Sequence, residues 1–312
     1  MDSTTGDPTL PQRALLAPCV WQDSAASAQL SGLVWSPDRR FAAYILTERR
    51  EHPTNYYRAS LCVIRANGPS ARSLYSTGNT GTQSDPEIAA WSPDSQRLLF
   101  WKLFPNCGSA NLDGAPLFDI AVAGGKPRLL TRSIVDQDNT MLRKQACLAF
   151  APDGRHLLLV AGGSRFMNEN KRIACLSYPR GKREWVTEAG WAMIEPTWSP
   201  DSTLIAFVST PDPQPVRDSE DIANRESQRH LYVMNADRSR KRKLTSDPRY
   251  RENTPKWHQA SPQAPRILRF TRDENSDLKG DVAYRSRPSL WEIKPDGTGL
   301  RFLRKLPPQP QH

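Results

Sequence analysis

The sequence predicts an all-β fold, built from one structural unit that recurs along the chain. The clearest copy is Ile194–Val208, in which a short run ending in Trp is followed by Ser-Pro-Asp and by an uninterrupted apolar segment. Pro presets φ for the second position of a β-turn, and Ser and Asp suit the flanking positions. The apolar segment Leu204–Val208 is rich in β-branched and aromatic residues and is too short for a helix, so it predicts a buried strand.

The unit recurs with a regular spacing, which is the second reason for the prediction. Its aromatic residue is Trp35, Trp91, Phe150, Trp198 and Trp257 in the five copies, and the last copy replaces Ser-Pro-Asp with a longer, Pro-rich turn. Each copy is followed by a second pair of strands, and 13 residues separate the start of the third strand from an apolar residue of the fourth in all five. These pairs are Leu61 and Leu74, Leu117 and Leu130, Ile173 and Val186, Leu231 and Leu244, and Leu290 and Leu303.

Fixed hairpins with one variable loop per unit are typical of the four-stranded blades of a β-propeller. We therefore predict a single β-propeller over 31–306, with five visible repeats at about 31–77, 86–132, 145–188, 194–246 and 253–305. Residues 1–30 are predicted to be an N-terminal arm, in which Gln12–Leu16 resembles a fourth strand and closes the ring, and 307–312 a tail. Six blades, one of them incomplete, are the alternative.

Composition limits the possible classes of protein. The 312 residues carry a formal net charge of +10, which favours acidic partners. The five cysteines are odd in number and form no CxxC pair, so neither a disulfide framework nor a zinc site is indicated. The sequence shows no signal peptide and no apolar run that could span a membrane. We therefore expect a basic, cytoplasmic protein that does not insert into a membrane.

The repeat resembles the WD-like repeat of the TolB family of propellers. The resemblance is carried by Trp198–Asp201, by Leu231–Asp237 and by Lys243–Thr245, and it extends over Ser31–Lys305. The propeller domains of prolyl oligopeptidase-type peptidases have a related repeat, but those enzymes carry their Ser-His-Asp residues on an appended hydrolase domain. This sequence has no GxSxG motif, because Gly162–Phe166 departs from it at the last position. The resemblance implies the fold, and relatives in the family are often periplasmic.

Acidic and amide side chains precede the first strands of three repeats. Glu87, Glu195 and Glu252 lie three to five residues before their Trp, and Asn253 follows the last of them. Because first strands begin around the channel, these four residues are predicted to line the channel mouth. Carboxylates and an amide around an axial hole could hold Ca²⁺, although no cofactor is otherwise expected. The alternative is structural: each carboxylate caps a loop or pairs with Arg.

Aromatic and basic residues are concentrated in the loops between second and third strands, on what we call the loop face. Tyr and Arg are typical anchors of protein interfaces. The predicted binding residues are Tyr56, Tyr57, Arg58, Trp191, Tyr284, Arg285 and Arg287.

These observations favour a non-catalytic binding scaffold that holds a peptide or protein partner at the loop face and channel mouth. The alternative is a small-molecule hydrolase or lyase with a polar or metal site in the channel. A third interpretation rests on the basic residues of the hairpins between third and fourth strands, of which Arg238–Lys243 is the densest run. Such a rim could bind a polyanion, whereas a charged strand edge also blocks unwanted pairing.

Overall fold

The structure is a computed structural model of the whole chain. It describes residues 10, 12–19, 26–50, 56–77, 85–102, 116–131, 148–162, 170–179, 181–211, 219–278 and 288–307. The chain divides into two compact units, which we describe separately. The first holds two four-stranded antiparallel sheets and the second holds three. The prediction of an all-β propeller made of four-stranded blades is confirmed.

The first unit contains a short helix, sheet 1 (β1–β4) and sheet 2 (β5–β8). In each sheet the strands pair in sequence order, as in a meander. The elements are α1 Gln12–Leu15, β1 Ala26–Trp35, β2 Phe41–Arg50, β3 Tyr56–Arg65, β4 Arg72–Ser76, β5 Pro86–Trp91, β6 Arg97–Lys102, β7 Leu117–Ala121 and β8 Arg128–Thr131.

The second unit contains sheet 3 (β9–β12), sheet 4 (β13–β16) and sheet 5 (β17–β20), each again a meander. One helix, α2, and a 3-10 turn at Asn275–Leu278 interrupt the β structure. The elements are β9 Leu148–Phe150, β10 His156–Ala161, β11 Arg172–Ser177, β12 Lys182–Trp185, β13 Trp191–Trp198, β14 Leu204–Pro211, α2 Ser219–Glu226, β15 His230–Asn235, β16 Arg242–Lys243, β17 Tyr250–His258, β18 Ile267–Glu274, β19 Ser289–Ile293 and β20 Arg301–Lys305. Neither described helix is long and apolar enough to cross a membrane.

The five aromatic residues that define the repeat occupy equivalent positions. Each ends or nearly ends the first strand of its sheet and lies opposite the second residue of the next strand: Trp35 opposite Ala42, Trp91 opposite Leu98, Phe150 opposite Leu157, Trp198 opposite Ile205 and Trp257 opposite Leu268. The equivalence predicted from the spacing is therefore confirmed. Trp91 is buried and the other four are half-buried.

The Ser-Pro-Asp motif forms a closed network of hydrogen bonds within its turn. Ser199 Oγ donates to Asp201 Oδ1 at 2.6 Å and accepts from the Leu204 backbone amide at 2.9 Å. The same bonds recur in the Ser36 and Ser92 turns. Burial by itself raises the pKa of Asp201, but hydrogen bonds from Ser199 and Thr203 outweigh that effect and lower the pKa to about 2. The motif therefore fixes the turn with an ionised carboxylate.

The N-terminal segment differs from its prediction. Gln12–Leu15 is one turn of helix and not a strand. It packs on sheet 1, where the Ala14 carbonyl accepts from the Ala71 amide at 2.9 Å and Tyr44 Oη donates to the Leu15 carbonyl at 2.5 Å. Ala and Leu favour helix, and a short apolar run does not distinguish a strand from a helical turn. The predicted ring-closing strand at Gln12–Leu16 is therefore wrong.

Candidate functional site

Polar side chains gather at one end of sheets 4 and 5, which we call the loop end. There β14 finishes at Pro211, β15 starts at His230, β17 starts at Tyr250 and β18 finishes at Glu274. Strands in an antiparallel meander alternate in direction, so the end of one strand lies beside the start of the next. This places three of the four predicted channel-mouth residues, Glu195, Glu252 and Asn253, in the same part of the molecule.

Glu252 is the centre of a buried ionic cluster at the loop end. Its side chain is fully buried, and Arg272, 3% exposed, donates to Oε1 from Nε and Nη2, both at 2.9 Å. The second carboxylate oxygen, Oε2, lies 2.9 Å from His230 Nδ1 and accepts from Thr245 Oγ1 at 2.8 Å. Two charge-assisted bonds and two further contacts therefore occupy both oxygens of the carboxylate.

Arg272 also contacts two aromatic rings. Its guanidinium carbon lies 4.6 Å from the centre of the Tyr250 ring and 4.7 Å from that of Trp291. A desolvated cation above an aromatic face is stabilised by the quadrupole of the ring, by about 2 kcal/mol in favourable cases. The planar guanidinium can lie against both rings and still donate to Glu252 along its edge. Arg272 thus ties β17, β18 and β19 of sheet 5 together.

A second set of contacts lies beside this cluster. Asn253 Oδ1 accepts from Arg229 Nη1 at 2.5 Å, and Asn253 Nδ2 donates to Asp273 Oδ2 at 3.0 Å. The backbone amide of Glu252 donates to the Arg229 carbonyl at 3.1 Å. Arg229 precedes β15, so these bonds join sheet 4 to sheet 5.

Glu195 stabilises a strained backbone. Glu195 and Thr254 each lie three residues before the repeat Trp, inside a β-bulge, with φ of 55° and 50°. Gly32 is the equivalent residue of sheet 1, at φ of 65°. Glu195 Oε2 accepts from the Thr254 amide at 2.5 Å. A side chain in the bulge of β13 therefore accepts a hydrogen bond from the backbone in the bulge of β17. This bond replaces the one that the Thr254 amide loses because the bulge takes it out of the β ladder.

The hydrogen bonds at the loop end favour a rigid structural role for these polar residues over a catalytic one. Both polar side-chain atoms of Glu252 and of Asn253 are engaged within the protein, and so is one carboxylate oxygen of Glu195, as the structural alternative for these residues anticipated. In the described part of the chain, no group of three or more His, Cys, Asp or Glu side chains could hold a metal ion. Glu87 lies in the first unit, opposite Trp101 in sheet 2. The hypothesis of a Ca²⁺ or catalytic site from Glu87, Glu195 and Asn253 stays a prediction.

Comparison with solved structures identifies the fold. A protein assigned as TolB in Agrobacterium tumefaciens matches with a TM-score of 0.53 at 18% identity, over 93% of this chain and 84% of that one. The fold is that of a TolB-like propeller. A puromycin-hydrolyzing peptidase of Mycobacterium tuberculosis matches at 0.55 and 14% identity, over 89% of this chain and 38% of the peptidase.

A third match is to prolyl oligopeptidase B of Galerina marginata, solved with a 35mer hydrolysis and macrocyclization substrate. The TM-score is 0.55 at 12% identity, over 89% of this chain and 35% of that one. The chain therefore spans little more than a third of the peptidases, and identities this low establish the fold alone. No protein-family model and no curated protein matches the sequence.

The predicted binding residues of this TolB-like propeller fall into three groups, of which Trp191 forms the last. Tyr284, Arg285, Arg287 and the side chain of Tyr56 lie outside the described residues. Tyr57 donates to Asp85 Oδ2 at 2.6 Å, and Arg58 Nη2 donates to Ser76 Oγ at 3.0 Å. Burial, followed by the bond to Asp85, raises the pKa of Tyr57 to about 12. The Tyr57 hydroxyl therefore makes a hydrogen bond that links sheet 1 to the residue before sheet 2.

Trp191 is a predicted binding residue that packs in part against the hydrophobic core of the second unit. It starts β13, is half-buried, and meets the edge of the Tyr232 ring at 6.5 Å between centroids. Lys241 Nζ lies 5.7 Å from the centre of the Trp191 ring. Trp is one of the residue types most enriched in binding hot spots, and the cation beside its face adds a favourable contact.

The sequence did not predict an open cleft at the opposite, turn end of sheets 4 and 5. Its volume is about 1110 Å³, and its walls are Pro200 and Asp201, the long turn 258–266 and Lys294–Asp296. The only signal in the sequence was the Pro-rich turn that replaces Ser-Pro-Asp in the last repeat. Turn composition alone does not show that two neighbouring sheets will enclose a space.

Two basic residues of the hairpin Arg238–Lys243 form ion pairs with acidic residues outside it. Arg238 pairs with Glu184 at 2.6 Å, Lys241 pairs with Glu188, and Arg242 donates to the Pro295 carbonyl. These contacts join sheet 4 to its two neighbours, sheets 3 and 5. The run that the sequence marked as a polyanion surface therefore has a structural role, while Arg240 and Lys243 remain exposed.

Proposed function

We propose that this chain is a non-catalytic binding scaffold that holds a peptide or protein segment at its loop end. The observation that carries the proposal is that bonds within the protein engage both polar side-chain atoms of Glu252 and of Asn253 and one carboxylate oxygen of Glu195. General acid–base catalysis and metal binding require polar groups that are free to meet a substrate or ion. A binding surface requires a rigid base instead, and the buried cluster around Glu252 provides one.

A peptide is the first class of partner to test. The Galerina marginata peptidase was solved with a peptide substrate, and a propeller of the same fold forms part of that chain. Trp191 offers an aromatic anchor, and the described part of the loop end carries both acidic and basic residues. Mixed charge around an aromatic anchor suits a polypeptide better than a uniform polyanion.

The test begins with peptides selected by display on the purified chain. Trp191→Ala should weaken the selected peptides about 30-fold, which corresponds to the ~2 kcal/mol of a hot-spot aromatic residue. Tyr284→Ala should weaken them as well, as the sequence predicts. Glu195→Gln is the matched control, because the amide oxygen can still accept from Thr254, and it should leave the dissociation constant within about threefold.

Two outcomes would contradict the proposal. If Trp191→Ala and Tyr284→Ala bind like the wild type while Lys294→Ala does not, the peptide occupies the turn-end cleft instead. If Ca²⁺ binds stoichiometrically and Glu195→Gln abolishes the binding, the hydrolase or lyase alternative takes first place.

Polyanion binding is a second candidate, favoured by the net charge of +10 and by the exposed side chains of Arg240 and Lys243. If it occurs, affinity for heparin should fall steeply as salt rises, because bound counterions are released. Reversal of these two charges should then reduce the slope of log K against log salt by about 2. An affinity that ignores salt would remove this candidate.

A further inference from the structure

The open cleft at the turn end of sheets 4 and 5 takes one of its walls from the irregular last repeat. The other four repeats join their first two strands by a Pro-Asp turn, whereas the last uses the longer, Pro-rich turn 258–266. The cleft has a volume of about 1110 Å³. At about 30 Å³ per water-sized group, it has room for roughly 35 non-hydrogen atoms, about as many as a linear trisaccharide or a tetrapeptide contains.

Hydrogen bonds hold two walls of the cleft in place. Gln259 Nε2 donates to the carbonyl of Pro262 at 3.1 Å and to that of Ala264 at 2.9 Å, so a side chain of the long turn fixes the turn itself. Arg266 of sheet 5 donates from Nη1 to Asp201 Oδ2 of sheet 4 at 2.6 Å. The second bond joins the long turn to the Ser-Pro-Asp turn that faces it.

The third wall is the turn between β19 and β20, and it is also fixed. The Lys294 amide donates to the Thr298 carbonyl at 2.9 Å, and the Gly297 amide donates to the Lys294 carbonyl at 3.0 Å. Asp296 Oδ1 accepts from the Thr298 amide at 2.8 Å and from Thr298 Oγ1 at 2.7 Å. All three walls are therefore ordered before a ligand arrives, which lowers the entropic cost of binding.

The cleft presents side chains to a ligand more than backbone donors. Proline has no N–H, and four of the lining residues are proline: Pro200, Pro262, Pro265 and Pro295. The backbone amide of Lys294 is already engaged. A peptide added as a strand needs a row of main-chain donors and acceptors. The cleft therefore lacks the backbone pattern on which strand addition depends.

The charged side chains that line the cleft cancel one another. With His counted as neutral, two are cationic and two are anionic, so their formal charges sum to zero: Arg266 and Lys294, Asp201 and Asp296. The whole chain, by contrast, carries +10. A cleft without net charge does not attract anions or cations from a distance. This arrangement favours a neutral ligand over a charged one.

Three side chains of the cleft keep polar atoms available to a ligand. In the described part of the chain, Lys294 Nζ and Asp296 Oδ2 make no hydrogen bond or ion pair. The imidazole of His258 is half-buried, and within the same residues its ring nitrogens have no partner. Together these groups can donate and accept hydrogen bonds, and a sugar hydroxyl does both.

Apolar surface lines the same cleft. Trp257 is half-buried and is anchored by the bond from its Nε1 to the Thr197 carbonyl at 3.2 Å. The four proline rings add to this surface. A sugar ring carries C–H groups on its faces and hydroxyl groups around its edge, so it can use both kinds of surface at once.

We propose that the turn-end cleft binds a neutral oligosaccharide. The hydroxyl groups of the sugar exchange hydrogen bonds with Lys294, Asp296 and His258, and the C–H faces of its rings pack on Trp257 and the prolines. The site is independent of the peptide surface proposed at the loop end.

The test is isothermal titration calorimetry with three neutral trimers: maltotriose, cellotriose and triacetylchitotriose. Two charged trimers serve for comparison, the cationic triglucosamine and the anionic trigalacturonate. At least one neutral trimer should bind with a dissociation constant of about 1 mM or lower. Each charged trimer should bind at least about tenfold more weakly, because nothing in the cleft offsets the cost of desolvating its charges.

Two variants locate the site. Lys294→Ala should raise the dissociation constant of the neutral trimer about tenfold, and His258→Ala should raise it about fivefold, as expected for the loss of a charged and of a neutral hydrogen bond. The matched controls are Lys305→Ala and His156→Ala, because neither residue lines the cleft. Equal urea midpoints for Lys294→Ala and the wild type would show that the change in binding does not come from unfolding.

The proposal is overturned if no neutral trimer binds at millimolar concentration, or if the charged trimers bind as tightly as the neutral ones. It is also overturned if Lys294→Ala and His258→Ala both bind the trimer like the wild type. Displacement of the trimer by a display-selected peptide would overturn it as well, because the cleft would then be a polypeptide site.

Discussion

Replacing Arg272 should destabilise the protein more than replacing any exposed arginine of the loop end. Arg272→Met leaves the fully buried Glu252 carboxylate with only His230 and Thr245 as partners. Breaking a buried ion pair by removing one partner typically costs about 3–5 kcal/mol, and here the Oε1 atom of Glu252 would lose both of its hydrogen bonds. The loss of the cation–π contacts with Tyr250 and Trp291 adds to this cost, while Met fills much of the volume.

The assay is equilibrium unfolding in urea, followed by tryptophan fluorescence and by circular dichroism. Arg249→Met is the matched control. Arg249 contacts the same Tyr250 ring at 5.5 Å, but its own ion pair with Asp247 is exposed to solvent. We expect a much smaller change for this variant, because water screens exposed pairs.

A double variant measures the free energy of interaction between Arg272 and Glu252. Arg272→Met with Glu252→Gln removes both charges, so it should cost clearly less than the sum of the two single changes. Strict additivity, or a loss for Arg272→Met no greater than for Arg249→Met, would refute the structural role assigned to this cluster.

Three further predictions concern the turns and the first unit. The pKa of Asp201 is lowered to about 2, so its contribution to stability is present above the pKa of the unfolded chain, about 3.9, and is lost as the pH falls toward 2. Asp201→Asn should therefore lose less stability than the wild type between about pH 5 and pH 2, measured from urea midpoints. Tyr57 should ionise near pH 12 in an ultraviolet titration, and Asp85→Asn should lower that pKa; a Tyr57 that titrates normally contradicts the bond. Ser202 has φ of 60° where sheet 3 has Gly154 at 68°, so Ser202→Gly should raise the unfolding free energy by up to ~1 kcal/mol and Gly154→Ser should lower it.

The fold was predictable because it depends on a repeated local pattern. Hydrophobic runs, Ser-Pro-Asp turns and a constant spacing of 13 residues each specify short-range structure, and five copies reinforce one another. Gln12–Leu15 had no second copy to support it. There the resemblance of five residues, Gln12–Leu16, to a fourth strand predicted a strand, whereas contacts with Ala71 and Tyr44, distant in sequence, stabilise a helical turn.

The position of the loop-end polar residues was predictable from the sequence, but their hydrogen-bond partners were not. The sequence placed Glu195, Glu252 and Asn253 near one another, because all three precede a first strand. It could not show that Arg272 and Thr254 would engage two of them, since those partners depend on packing between strands and sheets.

The most direct test of a loop-end binding scaffold is a hydrogen-exchange footprint of the chain with a display-selected peptide. Bound peptide should slow exchange at the loop end, in the segments around Trp191 and Thr254, and leave the turn segment 258–266 unchanged. Protection confined to 258–266, with no change around Trp191, would contradict the proposal and place the binding surface at the turn end.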